Sequence, residues 1–317
     1  MQQRDSLGFT IGVATALCIV CSLSVSSAYV ILKPLQDENR KLDRQRNILD
    51  AAGLAAEELG IPASRLTRSQ INDLYEVIEE RFVDLRTGNY TTPPDGDRYD
   101  PREAVNNRVP DLIDPVPPMT IGARFRERIV RVYLVKDFKD RDFVQQVVIP
   151  VYGQGLWSTL YGYMAIRRDL ETVQGLTFYD HAETPGLGGE VDNPSWKQQW
   201  VGLDIFDDAG APVLGVNKGP APPGSSHLVD GLSGATITSN GVTNMVRYWM
   251  SDDAYGRYFE QLGRELSGGD PVAFDEQVAD VGSTPPQAEP GSTSPVNEPI
   301  EVERNVPEPS DPSDGVE

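Results

Sequence analysis

The alternation of apolar and polar positions divides the chain into four stretches. Residues 6–32 carry no charged side chain at all. As a helix, positions 7–32 would extend about 39 Å, more than the roughly 30 Å hydrocarbon core of a bilayer. Tyr29 lies near one end, where an interfacial aromatic belongs. A cleaved signal peptide is the rival, with Arg4 as its basic region and Ser26, Ser27 and Ala28 as the small-residue cleavage site. The apolar run continues past that site through Val30, Ile31 and Leu32, so the pattern favours a transmembrane helix over 7–32. Cys18 and Cys21 fall inside it and read as small apolar residues.

Residues 33–119 are polar with local order. Leu35, Leu42 and Leu49 recur among charged residues and predict a helix up to Gly53. Thr67 and Gln70 form a capping box. A stripe of Ile71, Leu74, Tyr75, Ile78, Phe82 and Leu85 then predicts one helix closing at Gly88. Residues 89–118 hold seven prolines and read as a surface loop. From residue 120 the texture becomes β, with apolar runs at 129–135, 143–149, 161–166 and 173–179. Helices follow at 194–200, 239–250 and 252–266; the last has its own apolar face of Tyr255, Tyr258, Phe259 and Leu262. Strands followed by helices, without strict alternation, define an α+β domain with its core at 120–266 behind a single N-terminal transmembrane helix.

Residues 267–317 complete the division. From Gly268 onward there are twelve acidic residues, one basic residue (Arg304), nine prolines and one aromatic (Phe274). That composition cannot bury enough apolar surface to offset chain entropy, and it predicts a disordered acidic tail, as a solvating extension or a docking segment. The whole chain has a formal net charge of −20 over 317 residues, which excludes binding to a nucleic-acid backbone as a default. With both cysteines inside the apolar run, the rest of the chain can hold neither a disulfide framework nor a cysteine-based zinc site. Charge also bears on topology. Arg4 alone precedes the span, whereas Lys33, Arg40, Lys41, Arg44 and Arg46 follow it, a bias that would keep the domain in the cytoplasm.

Three glycine-rich clusters stand out. Gly153, Gly155 and Trp157 follow a predicted strand, but position 158 is Ser, so the dinucleotide fingerprint is incomplete and a hairpin turn accounts for them. The second cluster runs from His181 through Glu183, Thr184, Leu187 and Gly188 to Glu190; with His227 the only other histidine, it offers no metal-ligand set. The third runs from Asp230 and Gly231 through Ser233, Gly234, Ala235 and Thr236 into an apolar-periodic helix. Thr238 or Ser239 would cap that helix. Gly234 also permits close approach to a ligand, and a helix start suits a phosphate. Ala235 occupies the place where a nucleophile elbow needs glycine.

The run from Asp230 to Thr236 resembles the flavinylation motif of FMN-binding domains in sodium-pumping and related respiratory complexes. With HAETPGLGGE at 181–190, YGQGLW at 152–157 and the N-terminal anchor, residues 1–266 resemble the C-subunit family of the sodium-translocating NADH:quinone oxidoreductases (Na+-NQR). The G subunit of Rnf-type ferredoxin:NAD oxidoreductases shares the motif and is the alternative within this class. The resemblance implies a covalent FMN, moved from FAD by a flavin transferase onto the hydroxyl of Thr236 as a phosphoester. It also implies that Glu183, Thr184, Leu187 and Gly188 line the isoalloxazine with Lys218 nearby, and that Ser233, Gly234 and Ala235 belong to the attachment site. Trp157 is a further candidate wall. The implied partners are the other subunits of a membrane NADH:quinone oxidoreductase and the transferase. The implied place is the bacterial inner membrane with the FMN domain on the periplasmic side, against the charge bias. No GxGxxG follows a strand, so NADH must be oxidised on another subunit.

Two other classes compete with this reading. One is an anchored hydrolase using Ser233 with His181 or His227, opposed by the missing elbow glycine. The other is an anchored interaction module without a cofactor.

Overall fold

The structure, a computed structural model, describes residues 7–118, 120–269 and 272–275. The chain opens with one continuous helix, α1 (Leu7–Ala51), with Pro34 inside it. Residues 8–41 of α1 are exposed, and it is the one helix among the described residues long and apolar enough to cross a membrane. The expected span and the expected charged helix after it are thus a single rod. Its last turns change environment completely, with Ile48 and Leu49 fully buried.

Two short helices follow, α2 (Leu54–Leu59) and α3 (Arg68–Tyr75). The capping box at Thr67 and Gln70 is present on both sides, as expected. The helix does not run on to Gly88, however. It stops at Tyr75, and the rest of the apolar stripe forms strand β1 (Ile78–Asp84), paired antiparallel with β5 (Ile129–Lys136) along its length. Ile78 and Phe82 fit a helical spacing equally well, and partner strand β5 decides between the two. Gly88 is not a helix cap. It sits at φ +76 in the turn between β1 and β2 (Asn89–Thr91), where a Cβ would lie 2.6 Å from the carbonyl oxygen of Arg257.

The proline-rich stretch also holds more structure than a loop. It contains α4 (Pro101–Asn106), capped by Asp100 with proline in its first turn, and β3 (Ile113–Pro115), paired with β4 (Phe125–Glu127). The expected strands are present as β5, β6 (Val144–Gln154), β7 (Thr159–Arg167) and β8 (Val173–Asp180). The expected helices appear as α5 (Pro194–Gln198), α6 (Thr236–Trp249) and α7 (Gly256–Leu266), with a parallel pair of short strands, β9 (Gly215–Val216) and β10 (Leu228–Val229), between α5 and α6.

The main sheet has seven strands in the order β11-β2-β1-β5-β6-β7-β8, where β11 is Phe274–Asp275. Strands from both sides of residue 120 therefore build it. Both faces are covered, which explains why its strands read as nearly continuous apolar runs. Val132, Leu134, Val147, Ile149, Met164 and Ile166 turn to one face, against α6 and α7. Tyr133, Val135, Val148, Tyr163 and Ala165 turn to the other, against the end of α1, α2 and α3. The α1 contact is specific. Asp50 accepts from the Thr177 hydroxyl and the Lys197 ammonium, and Gln146 Nε2 donates to the Ala52 carbonyl at 3.0 Å. Gly175 has no Cβ where the Ala51 carbonyl oxygen rests against it.

The fold does not end with α7. Val272 is 6% exposed within the main core, and β11 runs parallel to β2, with Phe274 beside Tyr90. The expected end of the core at 266, with a disordered tail from 267, is corrected by these residues. The rest of the expected acidic tail lies outside the described residues.

Candidate functional site

The segment before α6 is held from several directions. Asp230 accepts from the backbone N–H of Ala221 (2.7 Å) and from Gln199 Nε2 (3.1 Å), while its own carbonyl accepts from Trp196 Nε1 (2.8 Å). Gly231 passes so close to Asn217 and Lys218 that a Cβ would strike their backbone. Gly234 adopts φ +70, and a Cβ there would lie 2.9 Å from Leu187 Cδ2. Ala235 is buried, at 5% exposure, and its small side chain fits between the turn and the core. Asp230, Gly231, Gly234 and Ala235 thus shape the backbone, and what they leave exposed is Ser233, Thr236 and Ile237.

Thr236 is the first residue of α6, and the N-cap position Ala235 makes no side-chain cap. The expectation that Thr238 or Ser239 caps the helix fails. Ser239 Oγ accepts from the backbone N–H of Leu232 at 3.2 Å, and the fully buried Thr238 donates to Glu183 Oε2 at 2.6 Å. Side chains that would compete for the first-turn N–H groups are engaged elsewhere. This is the arrangement in which a helix start remains open to an anion.

Glu183 gathers all three glycine-rich clusters. Its Oε1 accepts from the backbone N–H groups of Trp157 (2.9 Å) and Ser158 (3.2 Å), and Oε2 accepts from Leu156 (3.3 Å) as well as Thr238. A Cβ at Gly155 or at Gly188 would sit 2.6 Å from a carboxylate oxygen of Glu183. The glycines of the first two clusters therefore make room for this carboxylate, itself 5% exposed. Burial by itself would raise the pKa of Glu183. The Thr238 hydroxyl, then the three backbone donors, outweigh burial and hold it below the ordinary glutamate value.

The remaining expected residues fall around this point. Thr184 is exposed, and its carbonyl closes the turn by accepting from Leu187 (3.1 Å) and Gly189 (2.9 Å). Leu187 and Trp157 are exposed at 42% and 69%. Leu156 and Ile237, at 45% and 58%, were not singled out by sequence reasoning. Nothing in their spacing marks them, because exposure of an apolar residue beside a helix start is set by tertiary packing. Lys218 is exposed, and its backbone lies against Gly231. Neither histidine serves Ser233. His181 accepts from the Glu183 N–H through Nδ1 and pairs with Asp192 through Nε2 (2.9 Å), and His227 Nδ1 faces the Asp204 carbonyl (2.9 Å).

The fold and this site define an FMN-binding domain, and the family model of that description matches residues 155–251. The C subunit of the Na(+)-translocating NADH-quinone reductase from Yersinia pestis is 41% identical over 263 residues, 82% of this chain and 95% of its own length. Its counterpart from Vibrio alginolyticus is 41% identical over 260 residues, 82% of this chain and 96% of its own. The crystal structure of Shewanella oneidensis NqrC superposes with a TM-score of 0.63 at 31% identity, covering 71% of this chain and 98% of that one. The chain belongs to the NqrC family, the C subunits of Na(+)-translocating NADH-quinone reductases.

Proposed function

We propose that this chain carries FMN as a phosphoester on the Thr236 hydroxyl and, as a membrane-anchored subunit of a sodium-translocating NADH:quinone oxidoreductase, relays electrons towards ubiquinone. The observation that carries this reading is the exposed Thr236 hydroxyl at an uncapped helix start, inside the region matched by the FMN-binding family. The residues fit the group. The positive end of α6 favours the single negative charge of a phosphodiester, and Gly234 leaves backbone open beside it. Leu187, Trp157, Leu156 and Ile237 offer apolar surface for a planar ring. When bound, FMN supplies the electron-transfer chemistry, and the protein supplies position and electrostatics.

The chain's own residues act by holding. Ser233, Gly234 and Ala235 present the acceptor, Thr184, Leu187 and Gly188 form the turn facing it, and Lys218 brings a cation near the motif. Asp230 is half-buried and its carboxylate is bonded to Ala221 and Gln199, so the exposed side chains that the motif offers a flavin transferase acting on the folded domain are Ser233 and Thr236. We place the domain on the periplasmic side of the bacterial inner membrane, where such a transferase works. Arg44 and Arg46 support this, since both are half-buried on the part of α1 packed on the domain, where Arg44 pairs with Glu80 of β1 (3.9 Å) and Arg46 with Asp43 of the same helix (2.9 Å). They then move with the folded domain instead of acting as loop charges.

The test is co-expression with the transferase. Wild-type protein should give a flavin-fluorescent band after denaturing electrophoresis, and the peptide spanning 230–247 should gain the mass of FMN less water on Thr236. Thr236→Val should be folded, anchored and colourless. Flavin on Thr236→Val, or mapped to Thr238, would end the assignment.

A further inference from the structure

We infer that Glu183 and Thr238 are a positioning pair: the buried Glu183 carboxylate, oriented by the Thr238 hydroxyl, locks the turn at 156–158 to the first turn of α6. This rests on the reading of Thr236 as the flavin attachment point, and it gives Glu183 a different part from that of a residue lining the isoalloxazine.

The argument is one of spent valences. A carboxylate offers two oxygens, and both are used: Oε1 by Trp157 and Ser158, Oε2 by Leu156 and Thr238. Its 5% exposure leaves almost no surface for a bound ring. Three consecutive backbone donors converging on one carboxylate fix the turn far more tightly than a hairpin of this length fixes itself. The fourth donor comes from α6, two residues after Thr236, so the loop and the attachment point share one anchor. Gly155 and Gly188 are required on either side, because a Cβ at each would enter the carboxylate. Leu156, Trp157, Leu187 and Ile237 are exposed on the elements this pair joins, so the pair sets the apolar rim around Thr236. If it fails, the acceptor hydroxyl survives and the rim moves.

The experiment uses the full-length protein in detergent, made without the transferase and therefore free of flavin. Backbone hydrogen exchange of residues 155–158 should speed up on the order of tenfold in Thr238→Val, while peptides from β7 and β8 stay protected. Thr238→Ser restores the hydroxyl and should return exchange to within about twofold of wild type. Glu183→Gln places an amide N–H against one set of donors and should match or exceed the valine variant. Co-expressed with the transferase, Thr238→Val should still take up FMN on Thr236 but show a weakened visible circular-dichroism signal, which Thr238→Ser restores. Unchanged exchange at 155–158 in both Thr238→Val and Glu183→Gln would overturn the pair, as would a serine variant as perturbed as valine. An absence of flavin on wild-type protein overturns the attachment reading instead, and the flavin-free exchange measurement stands apart from it.

Discussion

The Thr238 hydroxyl donates a 2.6 Å hydrogen bond to Glu183 Oε2, joining residues 55 positions apart at the point where the hairpin turn, the glycine-rich turn and α6 meet. As a bond to a buried carboxylate it should be worth about 1.5–3 kcal/mol, more than the ~1 kcal/mol of a helix cap. Thr238→Val should lower unfolding free energy by that amount in a denaturant titration. Thr236→Val, at an exposed hydroxyl only two residues away, should change it by about 0.5 kcal/mol or less. Equal effects at the two positions would contradict the site geometry.

The depressed pKa of Glu183 gives a pH dependence of definite sign. A carboxylate held below its ordinary value of 4.5 stabilises the fold fully above that value and loses the contribution as pH falls below it, through the folded-state pKa. Acid should therefore release the turn at 156–158 before the sheet unfolds. Opening of the backbone N–H groups at 156–158, measured by hydrogen exchange corrected for the intrinsic rate and followed from pH 6 downward, should stay flat until below about 4.5 and then rise. A rise centred above pH 5 would rule out Glu183 as the cause.

Gly241 governs how closely α6 approaches β6. A Cβ there would lie 2.1 Å from the carbonyl oxygen of Gln154, backbone that cannot rotate away, and a Cβ at Gly153 on the strand would lie 2.6 Å from Met245 Cβ. Gly241→Ala should destabilise by about 1–3 kcal/mol through overpacking, despite the better helix propensity of alanine. It should also shift α6, and with it Thr236, so flavin incorporation should fall alongside stability. A stabilised Gly241→Ala protein would show that the helix can slide without cost.

The C-terminal boundary is testable by truncation. A stop after Ser267 removes the buried Val272 and the pairing of β11 with β2. It should cost about 1.5–3 kcal/mol from the valine alone. A stop after Gln277 keeps both and should match full-length protein in thermal unfolding. Identical melting of the two truncations would return the boundary to residue 267.

Much of this protein is legible in its residues alone. The uncharged run at 7–32 could only be an apolar helix, and the β-branched runs at 129–135, 143–149, 161–166 and 173–179 could hardly be anything but strands, because local composition and period settle such stretches. The motif from Asp230 to Thr236 points to the class of cofactor and marks Thr236 as the candidate acceptor. Tertiary structure decided the rest, wherever one local pattern served two conformations or two partners. Ile78 and Phe82 satisfy a helical period and a strand alike, and pairing with β5 selects the strand. Thr238 satisfies an N-cap and a buried donor alike, and the arrival of Glu183 from 55 residues away selects the donor. Val272 looks like part of a polar tail until the core is assembled and has room for it. Local sequence sets what a segment can do at its own energy scale of a few tenths of a kcal/mol per residue, and long-range contacts, worth about 1–3 kcal/mol each, choose among those options.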